Sequence, residues 1–249
     1  TDPAAIARIA DACPPARTLH LASSKSGSTV ETRSHLEWAW ARSGDPTRFA
    51  VITDPGSDLA SLARDRRFAD VFENRADIGG RYSALSLFGV VPALLAGVDA
   101  KALLTGGLDA LAACGPSADP VANPALSLAA VLGAGVRSGR DKATVVLPSA
   151  FESFGLWLEQ LLAESLGKEG TGVVPIVGEP LGEPAAYGDD RIFLVDPAER
   201  HATAAQLSPD VVIHQLPPLV DARSLGHAVV VAEVATALVA AVIGVHPFD

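Results

Sequence analysis

The stretch TLHLASSKSGSTVET, residues 18–32, decides the fold. TLHLAS (18–23) is a short apolar run of strand type, and TVETRSHLEWAWARSG (29–44) is compatible with a helix that Gly44 stops. Between them lie five hydroxyl side chains in the seven residues from Ser23 to Thr29, together with Lys25 and Gly27. A helix start leaves about four backbone N–H groups without intrahelical partners and carries partial positive charge, so it suits an anion. Ser24, Ser26, Ser28 and Thr29 add donors, Lys25 adds charge, and Gly27 lets the backbone approach closely or take a positive φ. An ordinary Ser/Thr cap in a polar turn is the competing reading, but a cap needs only one hydroxyl. The sharper reading is a phosphate site, though not a P-loop, because G-x-x-x-x-G-K-[ST] is absent.

Outward from this stretch the strand–helix alternation continues. RFAVITD (48–54) and ADVFE (69–73) read as strands around a short helix, DLASLARDRRF (58–68). YSALSLFGVVPALLAGV (82–98) reads as a largely buried helix interrupted near Gly89 and Pro92. GPSADPVANP (115–124) is rich in Pro, Gly and Ser and reads as a linker. Beyond it come a helix (124–139), a strand KATVVLPS (142–149), a helix (151–170), and strands at 172–178, 191–196 and 210–216. The pattern predicts parallel sheets with right-handed crossovers, in two doubly wound subdomains at 1–115 and 124–249.

Composition bounds the function. The 249 residues are 49% apolar, enough for a sizeable core, and the net charge of −10 argues against nucleic acid or an anionic membrane surface as partner. A small anionic ligand needs only one local positive pocket and stays open. Cys13 and Cys114 lie far apart without metal-ligand spacing, so a reduced, cytoplasmic protein without a metal is expected. LGHAVVVAEVATALVAAVIGV (225–245) has bilayer length but contains His227 and Glu233, and we expect a buried helix. The chain starts at Thr1 and holds no Met, so a piece of a longer polypeptide is expected.

Two more stretches carry chemistry. In the helix 151–167, Gln160 and Glu164 are four residues apart and share a face. Glu164 is a surface carboxylate or, at a pocket edge, a general base. In ADIGGRYSALSLFG (76–89), Gly79 and Gly80 precede Arg81. They form either a flexible turn with a solvent Arg or a site where backbone nears a substrate and Arg81 stabilises developing negative charge.

Together these stretches resemble the phosphoglucose isomerase family. SSKSGSTVET resembles its S-K-T-x-T-T-x-E-T phosphate segment, ADIGGRYSALSLFG its G-G-R-[FY]-S signature, and EQLLAESLGKEG its Q-x-x-x-E-S-x-G-K segment. VIGVHPFD is similar to the start of its last signature, and TDPAAIA to an internal S-T-D-P segment of the isomerase part of fused transaldolase–phosphoglucose isomerase proteins. The resemblance implies two sugar-isomerase (SIS) subdomains and the interconversion of glucose 6-phosphate and fructose 6-phosphate in a homodimer, without cofactor. It implies that Ser24, Lys25, Ser26 and Thr29 hold phosphate, that Gly80 and Gln160 contact the sugar, that Glu164 moves the proton, and that Arg81 stabilises the enediolate. His246 stands where Asn is usual, and the Lys of the last signature and the glycine-rich loop before S-T-D-P have no counterpart. The ring-opening His has no clear match: His201 is the first choice, His214 and His227 are rivals, and a partner subunit is a further source. A catalytically inactive or regulatory sugar-phosphate-binding module is the other reading, and retention of Arg81 and Glu164 speaks for the enzyme.

Overall fold

The computed structural model describes residues 2–248, and the chain divides into two compact units between Gly97 and Val98. In the first unit the elements run α1 (Pro3–Ala12), β1 (His20–Ser23), α2 (Val30–Ser43), β2 (Phe49–Thr53), α3 (Asp58–Asp65), β3 (Asp70–Glu73) and α4 (Leu87–Leu95). The strands pair in parallel in the order β1-β2-β3, with Ser23 beside Ile52 and Thr53 beside Glu73. β2 is buried along its whole length, as the centre of a sheet covered on both faces must be. Phe49 stacks on Phe68 at 5.1 Å and meets Trp40 edge-on at 5.3 Å, closing a core with Leu36, Val51 and Leu59.

The second unit runs α5 (Ala100–Cys114), α6 (Pro124–Arg137), β4 (Lys142–Val146), α7 (Glu152–Leu166), β5 (Val174–Val177), β6 (Arg191–Val195), α8 (Arg200–Gln206), β7 (Val212–Gln215) and α9 (Ala222–Ile243). Its parallel sheet has the order β5-β4-β6-β7. The expected α/β class, parallel sheets flanked by helices, is therefore the observed one. α9 is long and apolar enough to cross a membrane, yet ten of its residues are buried, and it packs on α5, α6 and α7. Asp221 opens it with a capping box: its carboxylate accepts from Ser224 N, while the Ser224 hydroxyl faces the Asp221 N–H at 2.9 Å.

Two expectations are revised. The sequence places a linker at 115–124, but α5 belongs with the second unit, and residues 115–123 are a loop inside that unit. The reason is backbone-close packing of α5 on α9: a Cβ on Gly106 would lie 1.8 Å from the Arg223 carbonyl oxygen, and one on Gly226 would lie 1.8 Å from that of Leu103. The helix expected from residue 82 begins only at Leu87, because a 3-10 turn at Gly80–Tyr82 precedes it. The Ser86 hydroxyl then caps the helix, and the Asn74 side chain accepts from the Leu87 N–H at 3.2 Å. Nor is that helix largely buried in its own unit, since Leu94 and Leu95 are each 57% exposed.

Candidate functional site

In a parallel sheet, every loop that leaves the carboxyl end of a strand emerges at the same edge, where open α/β sheets bind ligands. In the first unit these loops are 24–29 after β1, Asp54–Ser57 after β2, and 74–86 after β3. The serine-dense loop is internally bonded. Ser24 is buried; its hydroxyl accepts from the Gly27 N–H at 3.1 Å and pairs with the Thr29 hydroxyl at 3.1 Å. The Ser26 and Ser28 hydroxyls pair at 2.7 Å, and Ser26 Oγ accepts from the Ser28 N–H at 3.2 Å. Gly27 takes φ +72°, and a Cβ there would lie 2.5 Å from the Leu59 nitrogen, so only glycine fits the turn. Thr29 occupies the N-cap of α2 without bonding the first-turn N–H groups through its side chain. The exposed hydroxyls of Ser26, Ser28 and Thr29 thus stand beside a helix start that no side chain caps.

Lys25 joins this loop to the next. Its ammonium pairs with Asp54 Oδ2 at 2.8 Å and donates to the carbonyls of Ile78 at 2.8 Å and Ala76 at 3.2 Å. Gly79, Gly80 and Arg81 follow directly; Arg81 sits half-buried in the 3-10 turn, and the Ser83 hydroxyl closes that turn on the Gly80 carbonyl at 2.6 Å. A Cβ on Gly80 would meet nothing, so the fold of this unit leaves the space above it open to a ligand. The first unit therefore gathers Ser24, Lys25, Ser26, Thr29, Gly80 and Arg81 at one sheet edge. Asp54 is the member that reading the sequence missed. Its signal is a carboxylate ending the apolar run RFAVITD, where a strand delivers a side chain to the ligand edge.

In the second unit Gln160 and Glu164 are exposed on α7, and Gln160 Nε2 donates to Glu164 Oε1 at 3.0 Å. The parallel β4–α7–β5 crossover brings the last turn of α7, and Glu164 with it, to the edge where the strands begin. Among the described residues no group of three His, Cys, Asp or Glu side chains is placed to hold a metal.

No protein-family model matches the chain. It is 34% identical over 188 residues to a glucose-6-phosphate isomerase of Rubrobacter xylanophilus, covering 70% of this chain and 42% of that protein. A probable glucose-6-phosphate isomerase of Methanococcus maripaludis is 30% identical over 193 residues, 75% of this chain and 43% of its own length. The chain belongs to the glucose-6-phosphate isomerase family. It spans less than half the length of these curated relatives. In fold it matches a crystal structure of a hypothetical protein from Thermus thermophilus (TM-score 0.81, 23% identity, all of this chain and 72% of that one). It also matches a glucose-6-phosphate isomerase from Chlamydia trachomatis (TM-score 0.77, 20% identity, all of this chain and 59% of that one).

The histidines that the glucose-6-phosphate isomerase resemblance left open fall at separate places. His201, exposed in the first turn of α8, lies at the edge where the strands end, away from Glu164. The two therefore lie toward opposite ends of the strands of this sheet. His214 lies on β7, and burial pushes its pKa down. His227 is half-buried early in α9. His246, standing where this family usually has Asn, lies at the Glu164 edge instead: Lys168, just beyond the end of α7, donates through Nζ to the His246 carbonyl. Lys168, the last position of the Q-x-x-x-E-S-x-G-K match, and the backbone of His246 are thus neighbours of the Glu164 edge with no role assigned from the sequence.

Proposed function

We propose that the chain carries the phosphate-binding and proton-transfer parts of a glucose-6-phosphate isomerase, which interconverts glucose 6-phosphate and fructose 6-phosphate through a cis-enediol. The observation that carries this reading is the convergence of the 24–29 loop and the Gly80–Arg81 turn on one sheet edge, in a chain of this family. In this reading the exposed hydroxyls of Ser26 and Thr29, and the uncapped N–H groups of α2, take the phosphate; Ser24 holds Thr29 in place. Phosphate held away from the reacting carbons supplies positioning energy.

Glu164 accepts the C2 proton of the open-chain aldose and returns it to C1, while a proton passes between the two oxygens and the carbonyl moves from C1 to C2. Arg81 balances the negative charge that builds on the enediolate oxygen. Gln160 orients the Glu164 carboxylate by its hydrogen bond and contacts the sugar. His201 is the proposed ring-opening acid. Its distance from Glu164 within one unit favours a homodimer in which the two residues reach a substrate from different subunits. The proposal includes a cytoplasmic enzyme that needs no metal or organic cofactor. The deciding experiment is a coupled assay of the intact protein with fructose 6-phosphate. Turnover that survives Glu164→Gln unchanged refutes the base assignment, and binding of fructose 6-phosphate without turnover in the unaltered protein favours the inactive sugar-phosphate-binding module.

A further inference from the structure

We propose that Lys25 is a positioning residue: a strut that fixes the Gly79–Arg81 turn against the serine-dense loop, and not a ligand of the phosphate. The proposal deepens the isomerase reading and rests on it for the roles of Arg81 and of the 24–29 loop. A lysine ammonium has three protons to donate. Lys25 donates to the Ile78 and Ala76 carbonyls at 2.8 and 3.2 Å, and its charge sits 2.8 Å from Asp54 Oδ2. A phosphate oxygen would have to displace one of them. The main chain of the same residue is pinned as well, since the Lys25 carbonyl accepts from the Asp54 N–H at 3.1 Å and from the Thr53 hydroxyl at 3.2 Å. The other carboxylate oxygen of Asp54 is buried without a hydrogen-bond partner, so the ammonium is what compensates that charge.

The acceptors on the far loop are arranged for this bond. Ala76 and Ile78 flank Asp77, whose carboxylate takes two hydrogen bonds from Arg75, at 3.0 and 2.7 Å. That bidentate clasp lies between the two carbonyls that converge on Lys25. Arg81 is three residues from the second of them. Losing the strut frees the 76–81 segment and moves the guanidinium from the reacting oxygens, while the hydroxyls and N–H groups that take phosphate keep their own bonds.

The test is Lys25→Met in the intact protein, with three readouts. The strut predicts that kcat for fructose 6-phosphate falls by on the order of 10–100-fold, that the Kd for inorganic phosphate stays within about threefold, and that amide hydrogen exchange at 76–81 accelerates. A phosphate Kd weakened about tenfold, or unchanged exchange at 76–81, overturns it. Asp54→Asn gives a second reading should the first variant fold poorly. A strut predicts lost kcat and faster exchange there too, with the double variant no worse than either single one; a phosphate ligand freed of its carboxylate predicts tighter phosphate and retained kcat. Absence of turnover in the unaltered protein would sink the isomerase reading alone, because the exchange and phosphate measurements still decide on the strut.

Discussion

In the first unit the side chains proposed to bind phosphate hang from loops at the strand ends and bond one another; in the second, Gln160 and Glu164, proposed for proton transfer, stand exposed on a helix. The contrast separates two tasks. A phosphate is bound by many weak donors whose spacing must be fixed beforehand, and the loop proposed to take it is tied down by its own hydroxyls, by Gly27 and by Lys25. A general base is one atom that must reach one proton in a site from which water is excluded, and α7 supplies the rigid mount but not the enclosure. In the proposed reading the phosphate half is built within the first unit, whereas α7 leaves Gln160 and Glu164 exposed in the second.

Removing the base should give the largest effect. Glu164→Gln keeps the shape and the helix and should lower kcat about 10²–10⁴-fold, with fructose 6-phosphate still bound in calorimetry. A comparable loss of affinity would mean that Glu164 belongs to the binding half. Next comes Glu233, a half-buried glutamate on α9. Burial raises the Glu233 pKa from 4.5 to about 8, and its Oε1 has no hydrogen-bond partner. Below pH 4.5 the carboxyl is protonated folded or unfolded and has no effect on stability. Between 4.5 and about 8 the unfolded chain ionises while the folded one keeps its proton, so stability falls as pH rises, and above about 8 the loss levels off. Glu233→Gln should remove that slope and add on the order of a few kcal/mol at pH 8, read from urea melts at pH 5 and pH 8. A slope that persists in the variant would place the titrating group elsewhere.

Gly27→Ala tests the first unit's side of the contrast. The turn holds φ +72° and has Leu59 backbone where a methyl would go. We expect about 1–3 kcal/mol lost in stability, together with weaker binding of inorganic phosphate. An alanine variant that melts like the parent would mean that the loop is not held in this conformation.

The sequence made the fold legible wherever one signal sufficed. The central strand RFAVITD is continuously apolar because β2 is buried on both faces, and Gly44 marked the end of α2, where it takes φ +61°. The boundary between units was not legible. In AKALLTGGLDALAAC no local pattern says that α5 needs a glycine at 106 to reach the backbone of α9. The late start of α4 depends on the Asn74 side chain, thirteen positions earlier, which only the tertiary structure brings near. At the candidate site, the serine-dense loop is singled out by its chemistry and Glu164 by motif alone, and the role of each remains part of the proposal. The pairing of Lys25 with Asp54 required the parallel register that sets Ser23 beside Ile52, and no local pattern encodes it.

The smallest predicted effect separates the hydroxyls that face a ligand from those that hold the loop. Ser26 and Thr29 are exposed, and each should contribute about 0.5–1.5 kcal/mol to phosphate binding. Ser26→Ala and Thr29→Ala should therefore each weaken inorganic phosphate a few-fold in calorimetry, with little change in melting temperature. Ser24 is 7% exposed and bonds inward to Gly27 and Thr29, so Ser24→Ala should show in the melt as well as in the titration. If all three lower affinity equally and none alters the melt, the distinction between holding and binding fails within this loop. The internal bonds would then be a resting arrangement that phosphate replaces, and the preorganisation ascribed to the first unit would have to come from Gly27 and Lys25 alone.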